Sequence, residues 1–248
     1  MKRLIVFLIL FTIYGNLWAR DFSLSTGAGG LMGGLFTRYT LKADGKKAGL
    51  PMKVDAGQDT TQLNYGGLVF FDATYAELCI TIQNGINKWT QNLDIEGLEG
   101  SKPSTGDGWE TMMGFAILGK YPFNLGSRLT VFPLLGMEYQ ISLRQLRTQP
   151  DGWVYDRSDG IRERDKDKNA FELSDWNSFF LDVGGGADFD ITENIFIRGE
   201  FIYSFRLMTN YEKKNLEATK AMTGDNSPSM GGLTSGPSLR VCAGYRFF

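Results

Sequence analysis

Alternation with a period of two runs through much of the chain and is clearest in NIFIRGEFIYSFRLM, residues 194–208. Ile195, Ile197, Gly199, Phe201, Tyr203, Phe205 and Leu207 share one face of an extended segment, and Phe196, Arg198, Glu200, Ile202, Ser204, Arg206 and Met208 share the other. Neighbouring side chains of a β-strand point to opposite faces, so one face is apolar and the other holds all the charges. A helix does not fit, because a step of 3.6 residues scatters the charges and leaves no continuous stripe.

The same pattern returns at 129–144, where Leu129, Val131, Pro133, Leu135, Met137, Tyr139, Ile141 and Leu143 alternate with Thr130, Phe132, Leu134, Gly136, Glu138, Gln140, Ser142 and Arg144. Near 178–190, Phe179, Leu181, Val183, Ala187 and Phe189 oppose Ser178, Asp182, Gly184, Gly186 and Asp188. At the end, Leu239, Val241, Ala243, Tyr245 and Phe247 oppose Ser238, Arg240, Cys242, Gly244 and Arg246. Weaker strands are expected at 22–39, 64–72, 75–86 and 110–122, which makes eight. Short links near Asp72–Thr74, Phe123–Ser127 and Ile191–Asn194 interleave with long polar ones near 40–63, 87–109, 147–175 and 209–236. Short turns at one end and long loops at the other are how outer-membrane barrels are built.

Which face lies inside decides the class. A soluble barrel puts apolar residues in and charges out, and a membrane barrel inverts this. An Arg or Lys facing lipid at the midplane costs about 2–4 kcal/mol, too much for a strand carrying Arg198 and Arg206. Aromatics near strand ends (Trp89, Trp109, Tyr121, Phe123, Trp176, Phe189 and Tyr245) and glycines on the presumed inner face support inversion. The expected fold is therefore all-β, an eight-stranded antiparallel up-and-down transmembrane β-barrel in a bacterial outer membrane, with outer-membrane lipid around it. The lumen-lining candidates are Glu77, Lys120, Glu138, Arg144, Asp182, Asp188, Arg198, Glu200, Arg206, Arg240 and Arg246. If the turn near Thr192 and Glu193 sets the register, Asp188 lies opposite Arg198.

The N-terminus fits this destination. Lys2 and Arg3 precede the apolar run Leu4–Tyr14, with Ala19 as a small residue for cleavage, so residues 1–19 read as a signal peptide and 20–248 as a single barrel domain. Twenty-six basic and 28 acidic residues give a net charge of −2 and no electrostatic reason for a nucleic-acid partner. Cys79 and Cys242 are the chain's two cysteines and fall on non-adjacent strands, so free buried thiols are expected.

The ending SLRVCAGYRFF, the signal peptide and four long loops on eight strands resemble the small outer-membrane barrel families of the OmpA-barrel, OmpX and OmpW types, most nearly the single-domain barrels of spirochaete outer membranes. The resemblance implies that the barrel-assembly machinery reads the terminal strand, with its aromatic residues at the end and two before it. Tyr245 and Phe247 fit that alternation and leave Phe248 as one residue too many. Enzymes among such barrels resemble one another in using a catalytic histidine. This chain has none, so no enzymatic activity and no catalytic residue is expected.

Other motifs dissolve on inspection. GAGGLMGG at 27–34 lacks phosphate-loop spacing, because Met32 stands where the third glycine belongs, and small wall residues are the better reading. DKDKNAFE at 165–172 resembles half a calcium loop, but Ala170 and Trp176 replace its glycine and its glutamate, so no metal or cofactor is assigned. An eight-stranded lumen is filled by side chains or holds one small ligand. Two roles follow: a narrow conduit or binding barrel for small solutes, hydrophobic ones among them, and a closed structural barrel whose long loops meet host or environmental molecules. Phe132, Leu134, Phe180, Phe196 and Ile202 also point inward as walls of an apolar pocket, and with the OmpW-type resemblance they lean the expectation towards solute passage.

Overall fold

The computed structural model describes residues 23–47, 50–95, 103–148, 154–158, 173–224 and 228–247. The signal peptide, the half calcium loop at 165–172 and Phe248 lie outside these residues. The long strands are β1 (Leu24–Lys47), β2 (Leu50–Ala73), β3 (Ala76–Ile95), β4 (Ser104–Lys120), β6 (Leu129–Thr148), β8 (Ser178–Asp190), β9 (Ile195–Thr209) and β10 (Ser229–Arg246). Two short pieces, β5 (Phe123–Asn124) and β7 (Val154–Ser158), pair only with β6.

Every pairing is antiparallel. β1 meets both β2 and β10, and β4 meets β6, so the sheet closes as a ring of eight strands in the order β1-β2-β3-β4-β6-β8-β9-β10. Closure gives every strand of the ring a hydrogen-bonded neighbour on both sides, the condition for crossing hydrocarbon without edges. Tight links join β2 to β3 and β8 to β9, on the end taken as periplasmic.

The ring is inverted relative to a soluble protein. Phe201 is 55% exposed and Ile117 64%, whereas Arg198 on the same strand as Phe201 is 1% exposed. Ile80, Ile82, Leu135, Met137, Ile197, Leu239 and Val241 also face outward. An apolar belt outside and charges inside make the chain a transmembrane barrel of the outer-membrane kind. Aromatic side chains band the periplasmic rim: Tyr75 with Tyr121 (6.0 Å between ring centres), Tyr121 with Phe123 (5.0 Å) and Tyr245 with Phe247 (5.4 Å). Tyr245 and Phe247 face out and Cys242 in, which sets the register of the last strand. Both cysteines are free and buried.

Three expectations change. Residues 40–63 and 87–109 are mostly strand, not loop: β1 runs on to Lys47 and β2 starts at Leu50, while β3 reaches Ile95 and β4 starts at Ser104. Above the lipid the outer surface meets water, so pairing continues while the outer face turns polar, as with Arg38–Asp59 (2.8 Å) and Lys42–Asp55 (3.4 Å). Within 209–236 lies helix α1 (Asn210–Thr223), capped by Thr209, whose side chain accepts the Tyr211 N–H, and closed by Gly224 at φ 70°, the left-handed value glycine adopts without penalty. Trp89, assigned to the aromatic band, is buried inside the ring on β3.

Candidate functional site

The lower lumen is organised by Arg198 on β9. Its Nε and Nη2 donate to Asp188 on β8 (2.7 and 2.8 Å), Nη2 also to Asp72 on β2 (2.6 Å), and Nη1 to Glu77 on β3 (2.5 Å). β3 lies directly across the ring from β9, so this guanidinium bridges the whole bore. Lys120 on β4 donates to the same Asp72. Every donor direction of a guanidinium suits planar carboxylates, and bidentate pairing is the strongest form of this contact.

Around the charges stand three phenyl rings. The Arg198 guanidinium lies 4.5 Å from the centre of Phe70, 5.1 Å from Phe132 and 5.2 Å from Phe196. Glycine makes room for each ring: a Cβ on Gly27 would sit 2.5 Å from Phe70, one on Gly186 2.6 Å from Phe132 and one on Gly244 2.2 Å from Phe196. The inner glycines are thus seats for an aromatic plug. Phe132, Leu134, Phe196 and Ile202 pack with Phe70 and Leu118 into one buried cluster rather than lining an apolar pocket.

One layer higher, Arg240 on β10 donates to Glu138 on β6 (3.2 Å). Glu200 lies 3.9 Å from both Arg198 and Arg240 and so links the two layers. A cavity of about 30 Å³ remains beside Arg240, Glu138, Asn64 and Gln83, room for a few waters at most.

The outer half is built differently. A cavity of about 60 Å³ is walled by amides and hydroxyls, among them Thr37, Gln62, Asn87, Gln140, Ser178 and Thr234. Glu110 accepts from the Ser142 hydroxyl (2.7 Å) in the same wall. Over it sit Trp176, from a 3-10 turn (Leu173–Trp176), and Tyr211 from α1, stacked at 4.2 Å. Lys214 of α1 donates to Asp175 of the turn (2.6 Å), which ties the two loops into one cap.

Glu77, Lys120, Glu138, Asp182, Asp188, Arg198, Glu200 and Arg240 are buried inside the ring. Arg206 reaches the outer cavity, with its guanidinium 5.1 Å from the Tyr39 ring. Arg246 sits half-buried at the periplasmic rim beside Asp190 (3.3 Å). Arg144 is a correction: it lies outside the lumen, over Trp109 (5.8 Å). Thr111 pairs with Arg144 and Met112 with Ser142, so Leu143 is an extra residue and every side chain beyond it changes face, bringing Gln145 inward. Asp72 was missed because it adjoins the β2–β3 link and reads as turn chemistry; its place on the inner face follows from extending the β2 alternation by one step.

No family model matches the chain, and no curated protein matches it. Solved structures similar to it include Ail, the attachment invasion locus protein of Yersinia pestis, in complex with the heparin analogue sucrose octasulfate, at 13% identity over 91% of this chain and 99% of that one with a TM-score of 0.29. Neisserial surface protein A is 13% identical over 89% and 97%, with a TM-score of 0.35. The outer membrane protein OprG from Pseudomonas aeruginosa is 12% identical over 89% and 97%, with a TM-score of 0.36. At these values the likeness does not extend to function.

Proposed function

We propose that the chain is a closed, non-conducting and non-enzymatic outer-membrane barrel that anchors a recognition surface at its outer end. The observation that carries this reading is Arg198, which joins carboxylates from β2, β3 and β8 across the bore and so fills that level with paired, buried charge. A conduit needs mobile or unpaired groups along its length. Breaking one partner away from such a buried cluster costs about 3–5 kcal/mol, so thermal opening is rare. The strands of the outer end continue past the apolar belt and carry α1, which raises a rigid platform into the surroundings.

Planar-bilayer recording of the refolded protein tests this. The expected result is no resolved conductance steps from the native chain in simple salt, and steps from a variant with Arg198→Ala and Lys120→Ala together. Stable steps from the native chain would overturn the closed reading and restore solute passage.

A further inference from the structure

We propose that the outer cavity is a binding site for a carboxylate-bearing, hydroxyl-rich end group, such as the terminal residue of an acidic glycan; this deepens the recognition reading above. Three polar atoms in its wall are buried without a hydrogen-bond partner among the described residues: Nη2 of Arg206, Oδ1 of Asn87 and the Tyr39 hydroxyl. Asn87 is 4% exposed and Tyr39 6%. They arise from β9, β3 and β1, on separate sides of the ring, and converge on one space. Buried polar groups are nearly always paired, so three orphans facing one cavity mark a place where a polar guest completes them.

The chemistry of the wall selects the guest. Arg206 offers a charged N–H, held over the Tyr39 ring and with no acid among the described residues within ion-pair distance, which favours an anionic oxygen. Asn87 Oδ1 and Glu110 accept from hydroxyls, and the Gln62 and Gln140 amides and the Thr37 and Thr234 hydroxyls serve either sense. A bare anion leaves the acceptors unused and meets repulsion from Glu110; a neutral sugar leaves Arg206 unused. A sugar acid satisfies both sets. A cavity of about 60 Å³ admits the charged head and the atoms next to it. The rest of the molecule then meets the Trp176 and Tyr211 rings, whose faces suit the C–H side of a sugar.

The test is a titration of the full refolded barrel with sodium glucuronate, read by tryptophan fluorescence, with Trp176 in the cavity wall as reporter. Glucose and sodium acetate are parallel arms. The expected result is saturable glucuronate binding, weakened at least about ten-fold by Arg206→Gln, with glucose and acetate each weaker by a similar factor. Should Arg206→Gln fail to fold, Tyr39→Phe deletes one orphan atom and is expected to weaken glucuronate about three-fold or more. Absence of glucuronate binding by the folded native chain overturns the proposal, as does glucose binding as well as glucuronate or acetate binding as well as either. Because conductance is not read here, its failure leaves the closed-barrel reading standing, and the reverse holds.

Discussion

The two halves of the lumen hold charges in opposite ways. Below, all three nitrogens of Arg198 donate: its guanidinium meets Asp72, Glu77 and Asp188 and is boxed by Phe70, Phe132 and Phe196. Above, Arg206 lies over the Tyr39 ring and keeps a buried Nη2 without a hydrogen-bond partner among the described residues. The two arginines stand on the same strand, β9, and their difference comes from what the opposite wall supplies. A guanidinium whose three nitrogens all donate to carboxylates, as in Arg198, is structural material, whereas a buried nitrogen left over beside a polar cavity, as in Arg206, is available to a guest.

This contrast is open to direct attack. The largest effect is expected from Arg198→Ala, which strands the buried Glu77 and Asp188 carboxylates, leaves Asp72 with Lys120 alone, and should cost about 3–5 kcal/mol in urea unfolding of the bilayer-embedded barrel. Adding Glu77→Gln to that variant should recover part of the loss, since one stranded charge is then removed. Next comes Gly244→Leu, whose Cβ would begin 2.2 Å from the Phe196 ring; displacement of that ring should cost about 1–3 kcal/mol in the same assay. Smallest is Arg206→Met, where no ion pair among the described residues is lost: unfolding should shift by less than about 1 kcal/mol, in the direction of greater stability, because an incompletely satisfied buried cation is replaced by an apolar chain of similar reach. If Arg206→Met destabilised as much as Arg198→Ala, the distinction between the halves would vanish.

The ring and its inversion were legible from alternate residues alone. Arg198 and Glu200 cannot share the lipid face with Ile197 and Phe201 at tolerable cost, and the link near Thr192 placed Asp188 opposite Arg198, the pairing the structure shows. What sequence could not convey were one-residue insertions and the level of the membrane surface. The bulge at Leu143 moved Arg144 outside, and nothing in QISLRQL announces it. Similarly, Phe180 pairs with Arg206 and Phe179 with Met208, so Leu207 is extra on β9. Strands that rise above lipid lose their apolar face and look like loops, which hid the upper parts of β1 to β4. The outer cavity escaped for the same reason: Tyr39 and Arg206 lie on β1 and β9, but Asn87 stands just past the expected end of its strand and Tyr211 and Trp176 come from loop segments.

The claim on which the rest depends is that packed ions and rings shut the bore, and two native thiols report on it. Cys79 and Cys242 lie inside the ring, 1% and 3% exposed, in the same buried cluster as Phe70 and Phe196. Labelling of the native barrel in lipid nanodiscs with a charged, water-soluble thiol reagent, followed by mass, should leave both cysteines unmodified over hours, while the urea-unfolded chain takes up two labels within minutes. Modification of the folded barrel at the rate of the unfolded chain would mean that water and ions pass freely through the level of Arg198, and the closed lumen would be contradicted.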